Sequence, residues 1–305
     1  MKGRTVAVVG VGAVGGAVAG ALAMDAAARR VTLVDVRPEV ARAEAMDLND
    51  ALAPESPVEI EAGDLAQAAG ADLVVLAAGK GGAPGQSRMD LLEGSAAVVS
   101  EAVQTLKAGG FAGVLLVVSN PADAMAELAH RVSELPEGRV IGSGTLLDSF
   151  RLRRLLAERA GVAPESVAAS VIGEHGDSSV SVLSSATVGG VPLRAFGDFD
   201  REELQAEVRG RAPAIIEGKG NTSRGIGAAV ARIVRAVLRD ERAVLPVGAR
   251  LAGEYGGRDL FFGTPCLIGA GGVLRRFEAD LDEAERADVE ASLEALRDAV
   301  IRLPR

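Results

Sequence analysis

The feature that most constrains the fold is a glycine-rich loop between an apolar run and a helical stretch near the amino terminus. The run Thr5 to Val9 is followed directly by Gly10-Val-Gly-Ala-Val-Gly15. Gly10 permits a tight turn out of a strand, Gly12 has no side chain to keep a pyrophosphate from the backbone, and Gly15 lets the next helix lie close to the sheet. The unpaired N–H groups at the start of that helix favour an anion. The loop therefore predicts a βαβ unit that binds a dinucleotide.

An acidic residue completes this pattern at the end of the second apolar run. Asp35 follows Val31 to Val34 and stands twenty residues after Gly15. A carboxylate at this distance accepts hydrogen bonds from the ribose diol of adenosine and repels a 2′-phosphate. The sequence therefore predicts NAD, rather than NADP, as the cofactor.

Length and composition favour an enzyme that acts on a small molecule. The 305 residues, of which 48% are hydrophobic and 25% charged, suffice for two domains with buried cores. A net charge of -9 argues against nucleic acid or an anionic membrane as a partner, because both attract basic surfaces. No apolar stretch reaches the roughly 20 residues that span a bilayer, so we expect a cytoplasmic location. Cys266 is the only cysteine and lies in an apolar run, which predicts a buried structural thiol.

The first half of the chain alternates short β-branched runs with longer helical stretches, which predicts a doubly wound parallel sheet of the Rossmann type. The predicted strands are Thr5 to Val9, Val31 to Val34, Val58 to Glu61, Leu73 to Ala77, Val114 to Val118 and Val140 to Ile141. The predicted helices are Val14 to Ala28, Val40 to Leu52, Met89 to Ala108 and Asp123 to Ser133. Ligands of such sheets bind at the carboxyl ends of the strands. The predicted cofactor-binding residues lie in segments at those ends and are Gly10, Gly12, Val14, Gly15, Asp35, Ala78, Gly79, Ser119 and Asn120.

From about Ser143 the pattern changes to long helices and paired strands. The predicted elements are a helix from Leu147 to Ala160, strands from Val167 to Ile172 and Val180 to Val188, helices near Glu202 to Gly218 and Thr222 to Arg239, two or three strands between Arg242 and Glu278, and a helix from Asp282 to Ile301. We therefore expect residues 1–142 to form an NAD-binding Rossmann domain and residues 143–305 an α+β substrate domain, with the active site in the crevice between them.

The sequence contains two histidines, and their surroundings differ. His130 lies on a polar helical stretch, which favours a surface residue without a role. His175 lies between glycines at the end of an apolar strand, where an imidazole can face a cleft and move a proton to or from a hydroxyl near neutral pH. The alternative for His175 is a turn residue with no role.

Carbonyl reduction also needs a group that polarises the carbonyl, a clamp for the substrate anion and a carboxylate that orients the imidazolium. Arg88 follows the flexible loop from Gly79 to Gly85, and Asp148 and Arg151 share a face of one predicted helix. The alternative for the last two is a surface salt bridge, which stabilises a helix by only tenths of a kcal/mol.

Together these motifs resemble those of the L-lactate/malate dehydrogenase family, and the resemblance runs from Val6 to about Ala299. The matching segments are Gly10 to Gly15, Asp35, Ala78 to Asp90, Ser119 to Pro121, Gly142 to Arg151 and Gly173 to Asp177. The resemblance implies that His175 is the proton donor and acceptor and that Asp148 orients it. It also implies that Arg88 polarises the ketone when the mobile loop closes, and that Arg151 grips the substrate carboxylate bidentately.

Two further residues receive a role from the same resemblance. Asn120 would hydrogen-bond the reacting oxygen, and Thr222 would line the pocket beside the nicotinamide. The family also implies a homo-oligomer, a homotetramer or a homodimer. Of the two residues that bind the sugar-phosphate effector in allosteric members, one is matched by Arg153, and Ala168 stands in place of the other, a histidine.

The chain departs from the family at the position that determines which substrate side chain is recognised. Three positions before Gly85 lactate enzymes commonly carry Gln and malate enzymes Arg, whereas this chain carries Gly82. A glycine cannot pair with a second carboxylate. Lys80 or Arg224 could supply the missing cation, so malate stays open as a substrate. Two further departures alter the distal pocket. Phe150 stands where small residues are usual in the family, and Arg224 stands where an aromatic is common.

These observations favour an NAD-dependent L-2-hydroxyacid dehydrogenase that acts on a 2-oxo monoacid, in the manner of a lactate dehydrogenase. The first alternative is a malate dehydrogenase that uses a cation other than position 82. An alternative of another class is a non-catalytic NAD-binding sensor. The joint presence of four candidate catalytic side chains argues against it: Arg88, Asp148, Arg151 and His175. A third is a glycosidase of related fold that uses NAD and Mn²⁺, whose metal would need a cysteine and a histidine together.

The cofactor assignment can be tested at Asp35. The D35S variant should bind NAD less tightly and use NADP relatively better, because it loses both the acceptors for the diol and the repulsion of the 2′-phosphate. The measurement is the ratio of kcat/KM for the two cofactors. An unchanged ratio would dismiss the assignment.

Overall fold

The computed structural model describes residues 4–53, 56–79 and 88–303, except for the side chains of residues 88–91. The strands are β1 (Thr5–Val9), β2 (Arg30–Val34), β3 (Glu59–Ala62), β4 (Leu73–Leu76), β5 (Val114–Val117), β6 (Val140–Gly142), β7 (Val167–Ile172), β8 (Val180–Val188), β9 (Val191–Pro192), β10 (Ala243–Ala252), β11 (Arg258–Gly269) and β12 (Gly272–Arg276). The helices are α1 (Ala13–Asp25), α2 (Pro38–Leu52), α3 (Leu65–Ala68), α4 (Arg88–Ala108), α5 (Ala122–Ser133), α6 (Leu146–Ala160), α7 (Arg201–Lys219), α8 (Arg224–Leu238) and α9 (Glu283–Ile301).

Six parallel strands form the first part of a nine-stranded sheet, in the order β3-β2-β1-β4-β5-β6. All residues of β4 and β5 are buried, because helices cover both faces of a doubly wound sheet and its strands are apolar on both sides. One face packs against α1, α2 and α8 and the other against α3, α4 and α5. The predicted fold class, a Rossmann sheet followed by an α+β part, is confirmed.

Three strands from the second half of the chain extend this sheet. The strands β10, β11 and β12 continue it in antiparallel fashion beyond β6. The contact between β6 and β10 is made by Gly142 and Gly248, and a Cβ at Gly142 would lie 3.3 Å from the Cα of Gly248. The division predicted between residues 142 and 143 therefore separates two segments of sequence that share one sheet. It stays a prediction.

Two helices from opposite halves also pack closely. A Cβ at Gly227 of α8 would lie 2.6 Å from the backbone oxygen of Ala17 in α1. A side chain at position 227 would therefore push the two helices apart. The smaller sheet, in the order β7-β8-β9, packs with α6 and α7 in a core of its own.

The structure refines several predictions about single elements. The short helix α3 was not predicted, because its four residues are too few for a periodic pattern; Asp64 and Gln67 close its amino end by mutual hydrogen bonds. His130 is partly buried, with its ring centroid 6.1 Å from that of Phe261, rather than on an open surface. Cys266 is fully buried in β11, and this burial raises the pKa of its thiol. Among the helices described, none is long and apolar enough to cross a membrane.

A buried carboxylate joins the last helix to the smaller sheet. Glu285 in α9 is fully buried. One of its oxygens accepts hydrogen bonds from the backbone N–H groups of Leu183 (2.7 Å) and Ser184 (3.0 Å), and the other accepts from the Ser184 hydroxyl (2.5 Å) and from the N–H of Asp282 (3.2 Å). Burial of such a charge is tolerated only with donors of this kind.

We expect the E285A variant to lose about 3 kcal/mol of unfolding free energy, because it removes a fully buried carboxylate that accepts four hydrogen bonds. Urea denaturation followed by circular dichroism measures the loss. Glu290 is exposed on the same helix, and the matched variant E290A should change the unfolding free energy by only a few tenths of a kcal/mol. Equal stability of the two variants would contradict the structural role of Glu285.

Candidate active site

The glycine loop at the end of β1 has the shape of a dinucleotide cradle. Gly10 has a positive φ of 90°, and a Cβ there would lie 2.5 Å from the backbone of Ala78 at the end of β4. A Cβ at Gly15 would collide with the backbone oxygen of Gly10. At Gly12, by contrast, a Cβ would meet nothing within 4 Å. Close packing therefore requires glycine at positions 10 and 15. Gly12 leaves open space beside the backbone, which fits a bound pyrophosphate.

The first turn of α1 faces this open space without a protein anion of its own. Gly12 is the N-cap residue and has no side chain to accept a hydrogen bond, and the first turn, which includes Val14, contains no acidic residue. The first N–H groups of a helix need an acceptor, and a phosphate is a favourable one. The residues present thus fit NAD.

Asp35 fixes the loop and keeps a carboxylate at the end of β2. Its two oxygens accept hydrogen bonds from the N–H groups of Val11 (2.8 Å) and Arg37 (3.0 Å). A carboxylate has about four acceptor positions, so both oxygens can still accept from a ribose diol. The sequence predicted that the Asp35 carboxylate is available to a ribose. It did not predict that Asp35 fixes the glycine loop, because a contact across 24 residues has no local signal.

Ser119 connects the ends of two neighbouring strands. Its hydroxyl lies 2.5 Å from the backbone oxygen of Ala78 and 3.2 Å from that of Leu76. A Cβ at Gly79 would lie 3.6 Å from the hydroxyl of Ser95 in α4. The predicted cofactor residues Ala78, Gly79 and Ser119 thus lie together beside Gly10, at the carboxyl edge of the sheet.

The candidate proton-transfer residue, His175, is paired with a buried carboxylate that also binds an arginine. Asp148 places one oxygen 2.7 Å from Nδ1 of His175 and the other 2.7 Å from Nη1 of Arg151. The side chains of Asp148, Arg151 and His175 are exposed to 7%, 10% and 25%. The pair on α6 is therefore not a surface salt bridge, and His175 is not an isolated turn residue.

These contacts favour the charged form of both partners. Burial lowers the pKa of His175, but the hydrogen bond and charge of Asp148, together with the charge of Asp123, outweigh burial and raise the pKa above its usual value. Burial raises the pKa of Asp148, but the hydrogen bond and charge of His175, with the charge of Arg151, lower it overall. Each partner therefore stabilises the charged form of the other.

Backbone and hydroxyl contacts fix the distance between these two side chains. Ser149 and Thr145, beside Asp148, bind the backbone of Val171 in β7: the Ser149 hydroxyl accepts from its N–H (2.8 Å), and the Thr145 hydroxyl donates to its carbonyl (2.5 Å). Gly173, just after β7, exchanges two hydrogen bonds of 2.9 Å with Gly263 of β11. The loop that carries His175 is thus held between α6 and the large sheet.

A residue that the sequence did not single out also contacts His175. Asp123, in the first turn of α5, accepts a hydrogen bond of 2.8 Å from the backbone N–H of His175. Asp123 is 3% exposed, and burial raises its pKa to about 7. In a sequence, an acid in the first turn of a helix is interpreted as a favourable surface charge. The contact with a residue 52 positions away shows instead that Asp123 is a hydrogen-bond acceptor for the His175 loop. Since α5 follows β5, this bond places His175 at the sheet edge that carries Ser119.

The structure shows less about the remaining predicted residues. Asn120 is exposed at the end of β5, Thr222 is partly buried just before α8, and Arg224 is the exposed first residue of α8. Arg88 begins α4, but its side chain lies outside the described residues, as do Lys80 and Gly82 entirely.

A dinucleotide cradle and a paired, largely buried imidazole at one edge of a sheet define the class of nucleotide-dependent dehydrogenases. The lactate/malate dehydrogenase NAD-binding domain matches residues 4–142, and the alpha/beta C-terminal domain of that family matches residues 145–302. The L-lactate dehydrogenase of Limosilactobacillus reuteri is 41% identical over 96% of this chain and 93% of its own length. That of Bacillus caldotenax is 41% identical over 99% of this chain and 98% of its own.

The solved structures agree with the relatives. The ligand-bound minor L-lactate dehydrogenase of Enterococcus mundtii superposes with a TM-score of 0.96 at 37% identity, covering 100% of this chain and 99% of the other. The chain belongs to the lactate/malate dehydrogenase family. It is an NAD-dependent oxidoreductase.

The pair of Asp148 and His175 should make stability depend on pH. Because the pKa of His175 is raised in the folded state, its contribution is fully present below the unfolded value of about 6.5 and is lost as the pH rises through the folded pKa. In D148N this pH-dependent part should shrink. Stability also falls at every pH, because Arg151 loses its partner.

Urea denaturation between about pH 5.5 and 9 measures the difference in unfolding free energy between the wild type and D148N. The difference should be largest at the acidic end. The control is E158Q on the same helix, where Glu158 pairs with Arg154 at the surface and the difference should not depend on pH. A pH-independent difference for D148N would contradict the raised pKa of His175.

Proposed function

We propose that the chain is an L-2-hydroxyacid dehydrogenase of the lactate dehydrogenase type, in which His175 exchanges the proton with the substrate oxygen. The observation that carries the proposal is the partly buried hydrogen bond of 2.7 Å between Nδ1 of His175 and Asp148. Bound NADH supplies a hydride to the α-carbon of a 2-oxo acid, and NAD accepts one in the reverse direction. The protein's own part is to bind the acid, orient it and move the proton.

Asp148 selects which ring nitrogen of His175 does this work. Since Nδ1 is bound to the carboxylate, Nε2 is the nitrogen left for the substrate. In reduction the imidazolium donates its Nε2 proton to the carbonyl oxygen as this becomes a hydroxyl, and in oxidation the neutral ring takes the proton back. The raised pKa of His175 increases the fraction of imidazolium at a given pH, which favours reduction.

Arg151 is held ready for the substrate carboxylate by the same aspartate. Its Nη1 is bound to Asp148 at 2.7 Å, whereas a guanidinium has five N–H donors. The remaining donors can bind a carboxylate through two parallel hydrogen bonds. Asp148 thus fixes the cation that would hold the acid and the imidazole that would protonate it. We assign Asn120 to the reacting oxygen, Thr222 to the pocket beside the nicotinamide and Arg88 to polarisation of the ketone, by resemblance to the family.

For the substrate we propose pyruvate and lactate. Gly82 carries no cation that could pair with a second carboxylate, and the relatives named above are L-lactate dehydrogenases. The competing substrate is oxaloacetate, for which Lys80, outside the described part of the chain, or the exposed Arg224 would have to supply the charge. Arg224 favours this second candidate only through its position at the start of α8, two residues after Thr222.

We further propose that the enzyme works in the cytoplasm as a homotetramer or a homodimer. Most soluble oligomers are homo-oligomers with closed symmetry. Large apolar side chains on the outer sides of the helices support an assembly of copies: Met46 of α2 is 64% exposed and Ile216 of α7 is 49% exposed.

The substrate proposal is tested by kcat/KM for pyruvate and oxaloacetate with NADH. The wild type should prefer pyruvate or use the two equally, and G82R should shift the ratio toward oxaloacetate by roughly 30- to 150-fold, the effect of a charged hydrogen bond. H175A should lower kcat for both substrates by about 10² to 10⁴ while it still binds NADH.

Two results would overturn this proposal. A wild type that selects oxaloacetate by about a hundredfold would require another cation, and loss of that selectivity in R224A would identify it. Near-normal turnover in H175A would remove His175 from the reaction. The exposed R154A serves as the control, since Arg154 pairs with Glu158 at the surface.

A further inference from the structure

A cavity lies at the amino edge of the large sheet, on the side opposite to the candidate active site. It has a volume of about 460 Å³, and its lining includes Arg4, Asp72, Gly113 and Arg139. Each of these four residues directly precedes a parallel strand, in the spatial order β1, β4, β5 and β6. The cavity therefore spans the amino ends of four neighbouring strands, and its volume is that of a small-molecule site.

Both halves of the chain enclose this cavity. Its lining also includes Leu238, the last residue of α8, and Ala270, in the turn between β11 and β12. The turn is fixed, because the N–H of Ala270 donates a hydrogen bond of 2.9 Å to Asp240. Glycine and alanine form most of the rest of the lining, which leaves the space between the charged side chains open.

The two arginines of the lining have no carboxylate partner among the described residues. Nη1 of Arg139 donates to the backbone oxygen of Ala112 at 3.0 Å, and neither Arg139 nor Arg4 forms a salt bridge within that part of the chain. By contrast, Arg30 at the start of β2, on the same edge, pairs with Glu59 at 2.9 Å. A guanidinium has five N–H donors. Both arginines of the lining therefore keep most of their donors for another acceptor.

The carboxylate in the lining pairs with neither arginine. Oδ2 of Asp72 accepts hydrogen bonds from the backbone N–H (2.8 Å) and the hydroxyl (2.9 Å) of Thr5. Asp72 is thus held against β1, and the lining carries two cations and one anion. In a chain whose net charge is -9, this local excess of positive charge attracts an anion.

The carboxyl ends of two helices stabilise cations at this edge. Ala69 directly follows α3 and Leu238 ends α8, and both residues line the cavity. The partial negative charge of a helix end favours a nearby cation. A contact of this kind leaves the planar fork of a guanidinium free to bind a carboxylate or a phosphate through two parallel hydrogen bonds.

We propose that this cavity is a binding site for a small dianion, a dicarboxylate or a phosphate, held between the guanidinium groups of Arg4 and Arg139. Neighbouring strands lie about 4.8 Å apart, so the two arginines stand at strand ends roughly 14 Å apart and bind the ligand from two sides. The site is separate from the proposed reaction, since the dinucleotide cradle lies at the opposite, carboxyl edge of the sheet.

The experiment measures the Kd of succinate and of inorganic phosphate by isothermal titration calorimetry. The enzyme is saturated with NADH, so that the dinucleotide cradle is filled. The wild type is compared with R4Q and R139Q. The matched control is R29Q, because Arg29 is exposed at the same edge and does not line the cavity. The two probes distinguish the two sources of the anion, since a dicarboxylate site prefers succinate and a phosphate site prefers phosphate.

The wild type should bind one equivalent of the preferred probe. R4Q and R139Q should each raise its Kd by roughly 10- to 100-fold, the effect of a lost charged hydrogen bond, whereas R29Q should keep the wild-type Kd. D72N, whose amide oxygen still accepts from Thr5, should lower the Kd, because it removes an anion from the lining. The kcat for pyruvate should be unchanged in R4Q, since Arg4 is far from the catalytic edge.

A wild type that binds neither probe at about 10 mM would overturn the proposal. So would a Kd that R4Q and R139Q leave unchanged, because the probe would then lie at the active site or elsewhere on the surface. If R139Q does not fold, R4Q decides the question by itself, since the side chain of Arg4 is exposed. Equal turnover by the wild type and H175A would instead refute the proposed function, whereas the calorimetric comparison would still test the cavity.

Discussion

The close contact between Gly142 and Gly248 is the constraint on which the rest of the structure depends. It joins β10 to β6 without a side chain between the backbones, so the second half of the chain continues the sheet of the first. As a result β11 lies where Gly263 can bond to Gly173. The loop with His175 is thereby brought to the edge of the sheet where Gly10 and Ser119 meet Ala78. A larger side chain at either glycine would separate the strands and the two parts of the site.

The buried charges at this edge follow from the same geometry. Asp148 and Asp123 approach His175 from two different helices, and Arg151 partly offsets them. Burial of a carboxylate is unfavourable unless donors surround it. Among the described residues, the donors to Asp148 are the side chains of His175 and Arg151, and the donor to Asp123 is one backbone N–H. The difference explains why the pKa of Asp148 is lowered while that of Asp123 is raised to about 7.

Family membership fixes the class of the reaction but not every residue that controls it. Both domains of the lactate/malate dehydrogenase family match this chain. Gly82 nevertheless differs from both of the substrate codes common in that family, and Ala168 differs from the effector histidine. Arg153 also has a structural partner, since its Nε donates to the backbone oxygen of Ala169 at 2.8 Å. The common fold therefore leaves such single side chains free to change.

The sequence by itself determined the local patterns: the βαβ unit, the alternation of strands and helices, the glycine loop, the acid at Asp35 and the helix face shared by Asp148 and Arg151. Each depends on residues near one another in the chain, for which period and spacing are sufficient signals. Tertiary structure decided that Asp148 meets His175 across 27 residues and that Asp123 meets it across 52. It also decided that β10–β12 extend the first sheet. These contacts could not be read from the sequence, because the same acid is a solvated surface charge or a buried hydrogen-bond acceptor according to which distant element packs against it.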